Sequence, residues 1–382
     1  MDRPESVEEL AQTMRRAALL ARTLCLEGNG SKSLMAGPVE PADEYVSVSR
    51  LDRVLQYEPQ DLTISVEAGM PWRELTRLLA ENRQMIPLDP PFADHATVGG
   101  VIASNSSGPR RRLYGTARDM VIGMTFATLE GKLVRSGGMV VKNVAGLDMA
   151  KLMIGSFGTL AAIAVVNFKL TPMPDVERSF LLPFDSVAAA IRARDRILNG
   201  ALQPAAIDLL NPAAGKTLGN PSWLLAVRAV GNAAAAARYE RELAALGAGL
   251  AFDAEPQDKL WHHIQEFTLG FLARHPAGAV VRVSSTLKET EAVMEQFAGP
   301  AVSRSGSGVC YGYWVNAAAA GSWVAEAAAR GWKAVIEFAP EECKRQLDLW
   351  PAPGGDFALM QRVKKLFDPG NILNRGRLYG RI

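Results

Sequence analysis

The stretch LDPPFADHATVGGVIASNSSGPRRRLYG, Leu88 to Gly115, decides how this chain is read. From Thr97 through Gly99, Gly100, Ala103, Ser104, Asn105, Ser106 and Ser107 to Gly108 the side chains are small or carry hydroxyls. The run is too flexible to build a core and too long for a turn. It fits a place where backbone must approach a large flat or phosphorylated ligand, because glycine removes the Cβ and hydroxyls supply hydrogen bonds. On composition alone, a mobile surface loop is the alternative.

Three further glycine-rich segments lie around it. In LCLEGNGSKSLMAG, Leu24 to Gly37, an apolar strand runs into Gly28, Asn29, Gly30, Ser31 and Lys32. Closely spaced glycines let backbone N–H groups turn inward as an anion nest, with a hydroxyl and an ammonium beside them, which suits a pyrophosphate. Neither GxxxxGK[ST] nor a GxGxxG opening a helix occurs there, so it is neither a P-loop nor a Rossmann fingerprint. A plain turn remains the alternative reading. The segment GGMVVKNVAGLDMAKLMIGSFGTLAAIA, Gly137 to Ala164, sets Lys142, Asn143 and Asp148 beside Gly155, Ser156, Gly158 and Thr159 ahead of a long apolar strand. In YGTARDMVIG, Gly115 and Asp119 precede a strand.

The whole chain has 382 residues, enough at about 150 per domain for two to three domains with a sizeable core. Lys+Arg 42 against Asp+Glu 40 leaves a net charge of +2, which argues against nucleic acid as the main partner. Cys25, Cys310 and Cys343 share no CxxC or CxxH spacing, so they assemble neither an iron–sulfur cluster nor a structural zinc, and reduced cytosolic thiols are expected. The amino terminus lacks the apolar core of a secretory signal and reads as a helix with Ser6 as N-cap and Glu9 at the capping-box position. No apolar run approaches the ~18–20 residues needed to cross a bilayer, so any membrane association is expected to be peripheral.

Short strands between glycine turns dominate up to Pro172 and Pro174, where a domain boundary is expected. EYVSVSRL, LTISVEAG, MVIGMTFATL, KLVRSGG and TLAAIAVVNFKL read as strands, and PWRELTRLLAEN as a helix with Pro71 in its first turn. From Val176 onward strands such as SWLLAVRAV, AVVRVSS and GVCYGYW alternate with alanine-rich helices, the pattern of an α+β domain around an antiparallel sheet. KLWHHIQEFTLGFL reads as one further helix. FALMQRVKKLFDPGNILNRGRLYGRI reads as a basic amphipathic helix, an Asp-Pro-Gly turn and an arginine-bearing tail. The expected domains are 1–174, 175–350 and a closing segment 351–382.

Taken in order, AGMPWRELTRLL, ATVGGVIASNSSG, YGTARDMVIG, VVKNVAGLDMAKLMIGSFGTL and KLFDPGNILNRGRL resemble the FAD-binding, PCMH-type domain of the vanillyl-alcohol-oxidase-like flavoproteins. KNVAGLD and the short middle region are most similar to the FAD-binding (E) subunits of bacterial glycolate oxidases. The resemblance implies an α+β fold with a two-part FAD-binding domain, a smaller α+β cap and a C-terminal segment returning to the FAD domain. It implies that Gly28, Asn29, Gly30, Ser31 and Lys32 form the pyrophosphate loop. Pro90, Thr97, Val98, Gly99, Gly100, Ser104, Asn105 and Gly108 then form the second FAD-binding stretch, and Gly155, Ser156, Gly158 and Thr159 the GSxGTLG turn. Val165 lies on the strand that offers backbone to the adenine end, and Asn374 and Arg377 match the closing LNPGR-like tail. Arg375 replaces that motif's proline, Ala161 its GSxGTLG glycine, and Leu147 the aromatic after KNVAG. The first loop has no histidine for covalent attachment, so non-covalent FAD is expected.

A hydroxy-acid oxidase needs a group to take the hydroxyl proton and a cation to hold the carboxylate. The chain has only His95, His262, His263 and His275. His262 and His263 are adjacent on a helix, about 100° apart, which suits packing or solvent better than one shared ion, and no metal site is expected. His95 and Arg282 are the weak catalytic candidates, and each also reads as a local hydrogen-bonding residue. The Arg110, Arg111 and Arg112 cluster reads equally as a solvated loop or as a dock for an acidic partner. The resemblance implies a cytoplasmic glycolate oxidase subunit oxidising a small 2-hydroxy acid alongside a catalytic flavin subunit and an iron–sulfur subunit. Contact with the inner face of the plasma membrane would be made through those partners. A self-sufficient FAD oxidase of a hydroxy acid or alcohol, and a non-catalytic flavoprotein scaffold, are the alternatives.

Overall fold

The computed structural model describes residues 1–140, 147–247, 249–351 and 353–382, so Lys142 and Asn143 lie outside the described residues. The chain divides into two compact units. The first combines Met1–Ser107, Thr116–Met173 and Ala352–Ile382; the second combines Gly108–Gly115 with Pro174–Pro351. The longer stretch of the second unit begins at Pro174. The short excursion Gly108–Gly115 had no signal in the sequence, and it takes Gly108 out of the unit that holds the rest of the second glycine stretch.

The first unit is built on a five-stranded antiparallel sheet in the order Val54–Glu58, Thr63–Glu67, Ala162–Lys169, Val121–Ala127, Leu133–Gly137. All five residues of Thr63–Glu67 are buried, and Ala162–Lys169, the most continuous apolar run, takes the central position, as burial on both faces requires. Val165 thus lies between Glu67 on one side and Thr125 on the other. Leu24–Glu27 pairs in parallel with Glu44–Ser47, and Leu24 also bridges in parallel to Leu373 of the tail. Ser6 caps the helix Val7–Leu19, its hydroxyl accepting from the Glu9 N–H, while the Glu9 carboxylate accepts from the Glu5 N–H. Pro71 sits one residue earlier than the sequence implied, as the extended N-cap of Trp72–Glu81.

The second unit is an eight-stranded antiparallel sheet in the order Leu250–Phe252, Val176–Phe184, Trp223–Gly231, Ala206–Leu210, Ala301–Arg304, Val309–Trp314, Ala279–Ser284, Lys333–Phe338. Helices Val187–Asn199 and Ala233–Ala244 pack on Trp223–Gly231, and Ala317–Ala329 packs on Lys333–Phe338. KLWHHIQEFTLGFL is two helices, Ala254–Gln265 and Phe267–Arg274, divided at Glu266. The strands Val54–Glu58 and Ala301–Arg304 escaped the sequence reading because each is short and interrupted by polar residues.

Candidate cofactor cradle and polar sheet face

In the first unit three of the glycine segments and the C-terminal tail converge. Thr97 is the N-cap of the short helix Val98–Ala103, its hydroxyl accepting from the Gly100 N–H at 3.2 Å. A Cβ on Gly28 would collide with the Thr97 side chain, and one on Gly99 would stand 2.9 Å from the Ala68 Cβ. These glycines are therefore required by protein packing against protein. Gly30 differs: its φ is +66°, and open space surrounds a Cβ there apart from Glu27 Oε2 at 3.9 Å. A β-branched residue at 30 would be excluded by the left-handed backbone.

The turn Gly155–Thr159 docks on the same helix through Gly155 N–H to Ile102 O, 3.1 Å, and Phe157 N–H to Ala103 O, 2.9 Å. Ser156 and Asn105, one from each segment, carry the informative atoms. The Ser156 Oγ and the Asn105 Oδ1 are both buried and have no hydrogen-bond partner among the described residues. Burying an unsatisfied polar atom costs about 1–3 kcal/mol, so two of them on adjoining motifs fit a polar ligand that would complete the network. The Lys32 side chain is only 8% exposed and its ammonium lies 6.0 Å from the Phe92 ring centroid, bringing positive charge to the first loop. Burial raises the Glu27 carboxyl above the ordinary range, with Arg377 and Arg3 pulling the other way. These residues fit a diphosphate-bearing cofactor: glycine backbone, a buried cation and two waiting polar atoms.

Asn374 and Arg377 hold protein, and through it the cradle. The Leu26 N–H donates to Asn374 Oδ1 at 2.6 Å, and Asn374 Nδ2 donates to Phe157 O at 2.7 Å and Leu26 O at 3.2 Å. Arg377 donates to Lys32 O at 2.6 Å and Ser33 O at 2.9 Å. The tail thus ties the first loop to the Gly155–Thr159 turn. Arg375, in place of the motif's proline, donates to Pro41 O, and Ala161 is fully buried.

The second unit presents a different kind of site. Arg282 stands directly across from Tyr311 in neighbouring strands, while Arg304 lies 5.8 Å from the Tyr311 ring centroid. Arg304 pairs with Asp208, and Arg282 donates to Glu337 at 2.9 Å. Burial pushes the Glu337 carboxyl up against the pull of Arg282, and burial, with Glu337 adding to it, raises the Tyr311 phenol to about 12. The Arg304 Nε is buried without a hydrogen-bond partner among the described residues. Asp208, Arg304, Tyr311 and Glu337 were not singled out from the sequence. The available signal was a charged residue inside an otherwise apolar strand, as in AIDLL and KAVIEF.

The sequence candidates stand as follows. His95 is exposed, and Arg282 is engaged by Glu337 and by Ser284 Oγ at 3.0 Å. His263 Nε2 lies 2.8 Å from Thr217 Oγ1, and its ring meets Phe267 edge-on. Arg110 pairs with Glu177 at 3.8 Å, while Arg112 donates to Gln203 and a Cβ on Gly306 would press on its side chain, so these two arginines are used inside the second unit.

Residues 1–137 match the family described as "FAD binding domain", and residues 352–378 match "FAD linked oxidases, C-terminal domain". The chain is 34% identical over 168 residues to glycolate oxidase subunit GlcE of Escherichia coli (strain K12), covering 44% of this chain and 47% of that protein. It is 34% identical over 201 residues to D-2-hydroxyglutarate dehydrogenase of Xanthomonas citri pv. viticola, covering 51% and 42%. The match thus spans less than half the length of either relative. A solved structure of p-cresol methylhydroxylase with substrate bound is similar over 99% of this chain and 88% of its own, with a TM-score of 0.76 at 15% identity. The chain therefore has the PCMH-type fold expected from its motifs, its residues 1–137 and 352–378 are similar to the FAD binding domain and the C-terminal domain of FAD linked oxidases, and FAD is the cofactor these matches support.

Proposed function

We propose that this chain is the FAD-binding subunit of a multi-subunit enzyme that oxidises a small 2-hydroxy acid, with glycolate to glyoxylate as the leading case, and passes the electrons to partner subunits. The observation that carries the reading is the pair of buried, unsatisfied atoms Ser156 Oγ and Asn105 Oδ1 in adjoining glycine motifs. The hydroxy-acid class rests on the names of the two relatives, and the partnership on the word subunit in one of them. In this reading residues 1–174 bind FAD, 175–350 form the cap and 351–382 close the FAD domain.

Bound FAD supplies a two-electron acceptor for the hydride leaving the hydroxyl carbon. Gly28 to Lys32 orient the diphosphate by backbone N–H groups and the Lys32 charge, while Ser156 and Asn105 complete their hydrogen bonds on the cofactor's polar edge. The remaining tasks, taking the hydroxyl proton and holding the carboxylate, are poorly served by the described residues. Arg282 and Arg304 already face carboxylates, Tyr311 is held protonated far above neutral pH, and His95 is exposed. This supports a catalytic flavin subunit and an iron–sulfur subunit as partners. Among the described residues no helix is long and apolar enough to cross a membrane, so membrane contact would come through those partners.

A self-sufficient dehydrogenase is the second reading, favoured by the Arg304 Nε, a buried donor beside Tyr311 that a substrate carboxylate would satisfy. Anaerobic addition of glycolate, D-lactate or D-2-hydroxyglutarate to the purified holoprotein separates the two. The subunit reading expects the flavin band to persist until the partner subunits are added. Bleaching of the chain alone by any of the three would overturn it.

A further inference from the structure

Behind the Gly155–Thr159 turn lies a buried ion pair that the cradle itself does not contain. Lys364 belongs to the helix Phe357–Phe367, and it is that helix's one buried residue. Its ammonium donates to Thr159 O at 2.8 Å, Asp368 Oδ2 at 2.6 Å and Leu373 O at 3.0 Å, which uses all three N–H bonds. The Asp368 carboxylate is wholly buried and also accepts from the Ile372 N–H at 2.9 Å and the Leu373 N–H at 2.8 Å. From there the chain runs straight into the cradle: Leu24 N–H donates to Ile372 O, Asn374 N–H to Leu24 O, and Asn374 clamps Leu26 and Phe157.

We propose that Lys364 and Asp368 are positioning residues for FAD, a buried pair that fixes the Ser156–Thr159 turn from behind at the Thr159 carbonyl. The Thr159 hydroxyl donates to Ser156 O at 2.7 Å and the Thr159 N–H to the same oxygen at 3.0 Å, so holding Thr159 holds Ser156. The Ser156 hydroxyl is one of the two atoms left for the cofactor. A lysine serves here because a compact ammonium reaches three acceptors that converge from the turn, the helix end and the tail. The pair is costly for folding alone, since burying two charges seldom repays their desolvation, and a role in orienting the turn accounts for that expense. The proposal rests on the assignment of FAD to the first unit.

The test is the FAD dissociation constant of the full-length apoprotein, read by quenching of flavin fluorescence, with apoprotein thermal unfolding measured beside it. Lys364→Met keeps the methylene volume and removes the three hydrogen bonds. The K364M/D368N double variant also removes the lone buried carboxylate and serves where K364M does not fold. The proposal expects both variants to bind FAD about tenfold more weakly, the worth of one charge-assisted hydrogen bond, with the double variant recovering part of the apoprotein stability that K364M loses and none of the affinity. The recovery is partial because an amide at 368 has one acceptor oxygen for the Ile372 and Leu373 N–H groups. A folded variant that binds FAD as tightly as wild type would overturn it, as would affinity recovering in step with stability. A wild-type apoprotein that takes up no FAD would overturn the cofactor assignment, and the proposal with it.

Discussion

The two units gather their polar groups in opposite ways. In the first, the groups come from short glycine motifs whose members lie within a few residues of one another, and the fold has only to bring whole motifs together. In the second, Asp208 meets Arg304 and Arg282 meets Glu337 across strands far apart in sequence, so the pairing exists only in the register of the sheet. The cradle of the first unit leaves the Ser156 Oγ and Asn105 Oδ1 without a partner among the described residues, whereas the sheet face of the second pairs Asp208 with Arg304 and Arg282 with Glu337 and leaves the Arg304 Nε over. A cofactor site is therefore readable as local sequence, while a charged sheet face becomes visible only when strands are laid side by side.

The sharpest way to break this contrast is to unpair a charge in the second unit. Asp208→Ala leaves the buried Arg304 cation uncompensated and should destabilise that unit by about 3–5 kcal/mol in denaturant unfolding, with FAD affinity in the first unit nearly unchanged. A loss of FAD affinity as large as the loss of stability would show that the two units do not behave as separate stores of polar groups. Asn374→Ala comes next. It removes the stitch between Leu26 and Phe157 and leaves their part-buried backbone groups without that partner, so stability should fall by about 1–3 kcal/mol and FAD binding should weaken as well.

Ser156→Ala sharpens the comparison from the other side. Deleting a hydroxyl that has no partner in the protein should leave the apoprotein as stable or slightly more stable, while costing about 1 kcal/mol, roughly fivefold, in FAD affinity. Equal losses in both measurements would mean that the hydroxyl already serves the fold. The smallest expected effect is a pH slope. Burial, followed by Arg274 and His262, pulls His263 below the ordinary imidazole value of 6.5, so the unfolded chain binds the proton more readily than the folded one. This part of the stability is fully present above that value and is lost as the pH falls through the window below it. His263→Gln should flatten the acid limb of an unfolding-versus-pH curve.

The same contrast explains what could be read in advance. Thr97 to Ser107, Gly155 to Thr159 and the alternation of LTISVEAG and AVVRVSS announce turns and strands through residues that are neighbours in the chain. Asn374 was legible as part of a motif, but its amide is spent on Leu26 and Phe157, a role set by the return of the tail 348 residues later. Gly30 was legible as one glycine of a nest, and the structure adds that its φ is positive, while Gly28 packs against the Thr97 side chain. Asp208 and Arg304 carried no local signal beyond a charge in an apolar strand. Lys364 looked like one of several basic residues on an amphipathic helix, because nothing near it in sequence names Thr159 as its partner.

The most direct test of the central claim, that the first unit is a preformed cradle for non-covalent FAD, is the visible spectrum of the purified chain before and after acid precipitation. The account predicts a flavin spectrum in the native protein and all of the flavin, identified as FAD, free in the acid supernatant. A colourless protein that takes up no added FAD, or flavin that stays with the precipitate, would contradict it.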